Sequence, residues 1–163
     1  MIQRHLAIAC LFVLTGCASY DGRGLAVGQS TESQVESLMG PSADTRRGRD
    51  GDTYRYYPRL PYGRATYVAR FDGNGKLKAI EQRLQEETFS AIKPGITTVD
   101  EVRFLLGPPS RVVKFPRMGR ESLEYPWRAR NGVELLFVVQ YSPDGIVREA
   151  QSIDDPEFQL RYE

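Results

Sequence analysis

Histidine and cysteine are scarce in this chain, and their placement matters more than their number. The 163 residues include one histidine, His5, and two cysteines, Cys10 and Cys17. All three fall within the first 17 positions, so the remainder carries neither residue. Beyond that point Ser-His-Asp and Cys-His catalysis are excluded, as are the usual zinc, copper and non-haem iron sites and a disulfide framework. An excess of one charge is also missing. Lys and Arg number 22 against 21 Asp and Glu, a net charge of +1, so no global field points to nucleic acid or another polyanion. No apolar run approaches the roughly 20 residues needed to span a bilayer.

What is present begins with a processing signal. Arg4 and His5 make a short basic start, and residues 6–14 form an apolar run of secretory-signal length. The stretch Leu14-Thr15-Gly16-Cys17 resembles the bacterial lipobox, in which small residues precede an obligatory cysteine. The resemblance implies diacylglyceryl transfer to the Cys17 thiol, cleavage after Gly16 and acylation of the new amino terminus. An ordinary secretory signal with an incidental cysteine is the alternative. Cleavage would leave 163 − 16 = 147 residues, enough for one domain or two small packed units. Buried acyl chains contribute about 0.8 kcal/mol per methylene, and stable anchoring takes more than one chain. Ala18 follows the cysteine, where enteric-type sorting reads Asp as inner-membrane retention. By that analogy the protein is expected at the outer membrane, facing the periplasm.

The chain then repeats itself. Residues 27–41 return as residues 94–108, with Gly28 and Gly95, Val35 and Val102, and Gly40 and Gly107 at one offset, 95 − 28 = 67. Thr31 with Gln34, and Thr98 with Glu101, have capping-box spacing. Val35, Leu38 and Met39 form an apolar stripe at i, i+3, i+4, which Val102, Leu105 and Leu106 reproduce. Gly40-Pro41 and Gly107-Pro108 predict left-handed glycine C-caps with sharp stops. Residues 66–71 match 136–141 as strands, each followed by a tight turn and another strand. Gly73-Asn74-Gly75 reads as a hairpin turn rather than a phosphate loop. Residues 87–92 read as a helical turn before the second copy. The expected fold class is α+β: two tandem units, each a helix-turn-helix with an antiparallel three- to four-stranded sheet. The expected layout is signal 1–16, lipidated tether 17–24, first repeat 25–85, second repeat 86–155 and tail 156–163.

The pattern Lys93-Pro94-Gly95-Ile96-Thr97, then Val102-x-x-Leu105-Leu106-Gly107-x-Pro109, resembles the SmpA/OmlA/BamE-like lipoprotein domain. So does an aromatic strand followed by Asp-x-x-Gly and a further strand. Two tandem copies also resemble the overall plan of the β-lactamase inhibitory proteins. The resemblance spans residues 25–153. It implies small outer-membrane lipoproteins with a helix pair packed on a sheet, acting as accessory subunits in β-barrel protein insertion. The characterised branch has one such unit; this chain has two.

Candidate contact residues cluster twice. Arg46 and Arg47, with Arg49, Arg55, Arg59 and Arg64, accompany Tyr54 and Tyr56, a composition found both at protein interfaces and on the faces of half-packed sheets. Phe115 and Trp127 stand near Lys114, Arg117, Met118 and Arg120; the tryptophan is either a binding anchor or a core residue. The acidic pairs Glu86-Glu87 and Asp154-Asp155 read as solvated ends, since adjacent strand carboxylates point to opposite faces. The expectation is a non-enzymatic lipoprotein with no metal and no cofactor other than the lipid on Cys17. It would touch a membrane through that anchor and an envelope protein, including barrel-assembly machinery, but no nucleic acid or small-molecule substrate. The alternative is a binder or inhibitor of another envelope protein. Replacing Cys17 by serine is expected to abolish metabolic labelling with palmitate and leave the unprocessed precursor; a labelled, processed C17S protein would overturn the assignment.

Overall fold

The computed structural model describes residues 21 to 160; Cys17 and the signal segment lie outside the described residues. The order is α1 (Glu32–Met39), β1 (Asp44–Arg47), β2 (Thr53–Pro58), β3 (Thr66–Phe71), β4 (Leu77–Gln82), α2 (Glu86–Phe89), α3 (Val99–Leu106), β5 (Arg111–Phe115), β6 (Arg120–Arg128), β7 (Glu134–Tyr141), β8 (Val147–Asp154) and α4 (Pro156–Gln159). A 3₁₀ turn, Pro116–Met118, joins β5 to β6. The strands form two four-stranded antiparallel meanders, β1-β2-β3-β4 and β5-β6-β7-β8. The protein is thus α+β, with two tandem sheet units.

The internal repeat extends to single hydrogen bonds. Thr31 and Thr98 each close a capping box, with Gln34 and Glu101 respectively. Each such box satisfies two backbone N–H groups that the first helical turn leaves without partners. Leu77 N–H donates to the Ser30 carbonyl and Val147 N–H to that of Thr97, both at 2.9 Å. Both sheets also carry an irregularity at one corresponding step, Arg70/Phe71 and Gln140/Tyr141.

Two expectations need correction. Gly40 and Gly107 do have positive φ, 84° and 82°, but their ψ values of −176° and −165° are extended. The caps are therefore not left-handed helical; this conformation is open essentially to glycine alone and throws the chain straight into the first strand. Nor is each unit a full helix pair. The second unit's leading helical turn is there as α2, close to where it was expected, but among the described residues the first unit has only turns before α1. The reason is one residue. Phe89 of α2 stacks on Phe137 and meets Trp127 edge-on, whereas its counterpart 67 positions earlier is Gly22. Gly22 has no side chain to anchor a turn on the sheet, its φ of +80° is one that side chains rarely adopt, and the Ile80 Cδ1 occupies the place a Cβ would take.

The layers alternate. Val35 and Met39 of α1 pack on one face of the first sheet, with Tyr57, Ala69, Phe71 and Leu77. The opposite face of that sheet, through Tyr54, Tyr56 and Val68, receives Phe104 of α3. The other side of α3, Val102 and Leu106, sits on the second sheet with Leu123, Tyr125, Phe137 and Val139. Helix α3 is therefore shared: it is the core helix of its own unit and the lid of the first. Full burial of an aliphatic side chain stabilises by about 1.5–3 kcal/mol, so both faces of α3 contribute. Phe104→Ala is expected to cost about 2 kcal/mol, below the usual range for a fully enclosed phenylalanine because the ring is only partly buried. Urea unfolding would measure it, and a change under about 0.5 kcal/mol would mean the joint carries no stability.

Candidate interaction surface

The arginines and tyrosines around β1 and β2 separate by direction. Arg46 is half-buried and paired with Asp44 at 2.8 Å, while Arg47 is exposed. Tyr54 is 7% exposed; its hydroxyl donates to Asp50 at 2.7 Å and its ring lies 4.9 Å from that of Phe104. Tyr56 is fully buried, and its hydroxyl donates to the Phe104 carbonyl of the second unit at 2.7 Å. Gly107 leaves room for it, since a Cβ there would lie 2.8 Å from the Tyr56 ring. The tyrosines among the candidates thus belong to the joint between units and present no ring to an outside partner. Trp127 is 3% exposed and part of the second core.

Beside this joint is a clamp that sequence reasoning did not find. The β2–β3 loop reaches over the second unit, placing Leu60 against its core. Arg64, at φ +48°, pairs with Glu134 at 2.5 Å and Asp155 at 2.7 Å and sets its guanidinium 5.3 Å from the centre of the Phe158 ring. Asp155 is not a solvated end: it is 4% exposed and caps α4 by accepting from Glu157 N–H. Buried carboxylates need such partners, because an unpaired buried charge is strongly destabilising. Nothing in the spacing of Arg64, Glu134 and Asp155 signals their meeting.

Phe115 alone among the candidate aromatics stands at the surface, half-buried at the end of β5. Around it Met118 is 58% exposed and Val112 42% exposed, and Arg117 is exposed. A hollow of about 450 Å³ opens at this hairpin tip, lined by residues including Lys114, Pro116, Arg120, Tyr141 and Pro143. Its floor is polarised. The Tyr141 hydroxyl donates to Glu121 at 2.6 Å, and that bond, aided by the Lys114 charge, holds the Glu121 carboxyl below the usual carboxylate range. Burial, and then the same bond, raises the Tyr141 phenol. A firm, partly apolar surface with a cationic rim is suited to holding a segment of another molecule.

No protein-family model, curated protein or solved structure matches this chain. Among the described residues no group of three or more His, Cys, Asp or Glu could hold a metal ion, and no helix is long and apolar enough to cross a membrane.

The joint has a titration signature. Burial raises the phenol of Tyr54 above its ordinary value and pushes that of Tyr56 up to about 12, and it likewise raises Tyr57 under α1 and Tyr125 in the second core. The folded state therefore keeps protons that the unfolded chain releases near pH ~10. The stability involved is fully present below about pH 10 and is lost as pH rises through the folded values, toward about 12 for Tyr56. Urea titrations at stepped alkaline pH are expected to show this fall, with a shallower slope for Tyr56→Phe; an unchanged slope would contradict the assignment.

Proposed function

We propose that the chain is an outer-membrane lipoprotein, facing the periplasm, that works by protein–protein contacts in outer-membrane protein assembly or envelope maintenance. Its fold is read as two tandem SmpA/OmlA/BamE-like units, with α2 and α3 as the helix pair of the second. No catalytic step is assigned to it. The observation that carries this reading is a division of labour between the copies. Tyr54, Tyr56 and Arg64 of the first are enclosed in the joint, whereas Lys114, Met118 and Arg117 of the second face outward. Joining two units across a packed seam supports a surface of fixed shape, and preorganisation lowers the ordering cost of association. Only three residues lie between Cys17 and Asp21, a span of at most ~14 Å over four Cα–Cα steps, so acylation would hold this body against the bilayer. Crosslinking in cells followed by purification is expected to recover a barrel-assembly or other envelope-assembly component, and to lose it with Cys17→Ser. Recovering none under conditions that capture known assembly subunits would overturn the proposal.

A further inference from the structure

The duplicated strands β1 and β5 serve as controls for one another, and they differ in one respect. Each is the first, outermost strand of its sheet and pairs only with the next strand. The opposite edges are partly covered: β4 bonds through Leu77 to Gly28 and Ser30, and β8 through Val147 to Gly95 and Thr97. For β5, among the described residues, no main-chain hydrogen bond arrives from any segment but β6. An open edge invites strand addition, and charged side chains are the common protection against it. In β1 that protection is complete, with Asp44, Thr45, Arg46 and Arg47. At the positions of Thr45 and Arg46, β5 carries Val112 and Val113, and where the first copy has Gly48 it has Phe115. The middle of the second edge is thus apolar where the first is polar, while its flanks stay charged and are both cationic, with Arg111 and Lys114 at the positions of Asp44 and Arg47.

We infer that the free edge of β5 is a strand-addition site for an extended, acid-flanked apolar segment of a partner protein. This rests on the reading of the chain as a protein-contact lipoprotein. In such docking, main-chain hydrogen bonds supply affinity and alternate side chains enter pockets. The 450 Å³ hollow beside the end of β5 opens toward β6 and β7, through Arg120, Glu121 and Tyr141, so the free edge itself offers main-chain groups, the exposed Val112 and its flanking cations. Charge selects the occupant. The Lys114 side chain is 74% exposed and only 3.6 Å-paired with Glu121, and Arg117 beside it is exposed too. Antiparallel pairing of β5 with a second copy, Val112 against Val113, would set Lys114 against Arg111 of the other copy, a like-charge pair that opposes self-association and favours carboxylates.

The test uses the full chain in detergent and synthetic peptides followed by fluorescence anisotropy. One peptide alternates valine and threonine between aspartates; a second replaces the aspartates with lysines; a third is the acidic peptide N-methylated along one edge. The acidic peptide is expected to bind, with the lysine-flanked and N-methylated forms at least about tenfold weaker (about 1.4 kcal/mol). Lys114→Glu, a change at an exposed side chain, is expected to reverse the preference between acidic and basic peptides, while Arg47→Glu on β1 leaves it unchanged. Equal binding of the N-methylated peptide would overturn strand pairing, and an equal effect of Arg47→Glu would overturn its placement on β5. Self-association through β5, or no binding by any peptide, would overturn the partner assigned. None of those results would touch the broader contact role, which the cellular crosslinking decides separately.

Discussion

The contact of Phe104 with Tyr54, Tyr56 and Val68 makes two repeated units one body, and most other features are arranged around it. It requires α3 to be apolar on both sides, with Val102 and Leu106 inward to the second sheet and Phe104 outward to the first. It needs Gly107 at the helix end, both for its positive φ and because Tyr56 occupies the space of a Cβ. The Tyr56 hydroxyl then satisfies a carbonyl of α3 that lies near the helix terminus, where backbone acceptors lack intrahelical partners. The Arg64 clamp holds the same two units at their other contact.

The outer ends of the stack are finished differently from its middle. Where α3 carries Phe104, α1 has Ser37, and where the first sheet offers Tyr54 and Tyr56, the second has Ser122 and Glu124. Ser37 leaves that face of α1 polar and exposed, whereas Ser122 and Glu124 are buried, Glu124 under Arg111, which pairs with it at 2.6 Å. With the first edge polar along its length, the β5 hairpin, where Val112 and Met118 are exposed, is the part of the surface where the second copy departs most from the first.

The sequence disclosed the repeat, the capping boxes and the strands, because each depends on near neighbours. Thr31 and Gln34, or Thr98 and Glu101, meet within one helical turn whatever surrounds them. It disclosed less of the candidate surface. Tyr54, Tyr56 and Trp127 look alike in composition to binding aromatics, and only packing decides that they face inward. Phe115, from the same short inventory, lies at the surface because its strand is an edge.

What the amino-acid order determined by itself is therefore local and periodic: two short capped helices, two successions of three to four strands and glycines where the chain must turn. The lipobox resemblance at Cys17 belongs to that level too, since processing reads contiguous residues. The tertiary structure decided which face of each element is covered. Adjacent residues on a strand, such as Tyr56 and Tyr57, enter different cores, one shared with the second unit and one with α1. Their spacing is the same in either arrangement; the difference comes from a helix 48 residues further along the chain, whose carbonyl the Tyr56 hydroxyl meets.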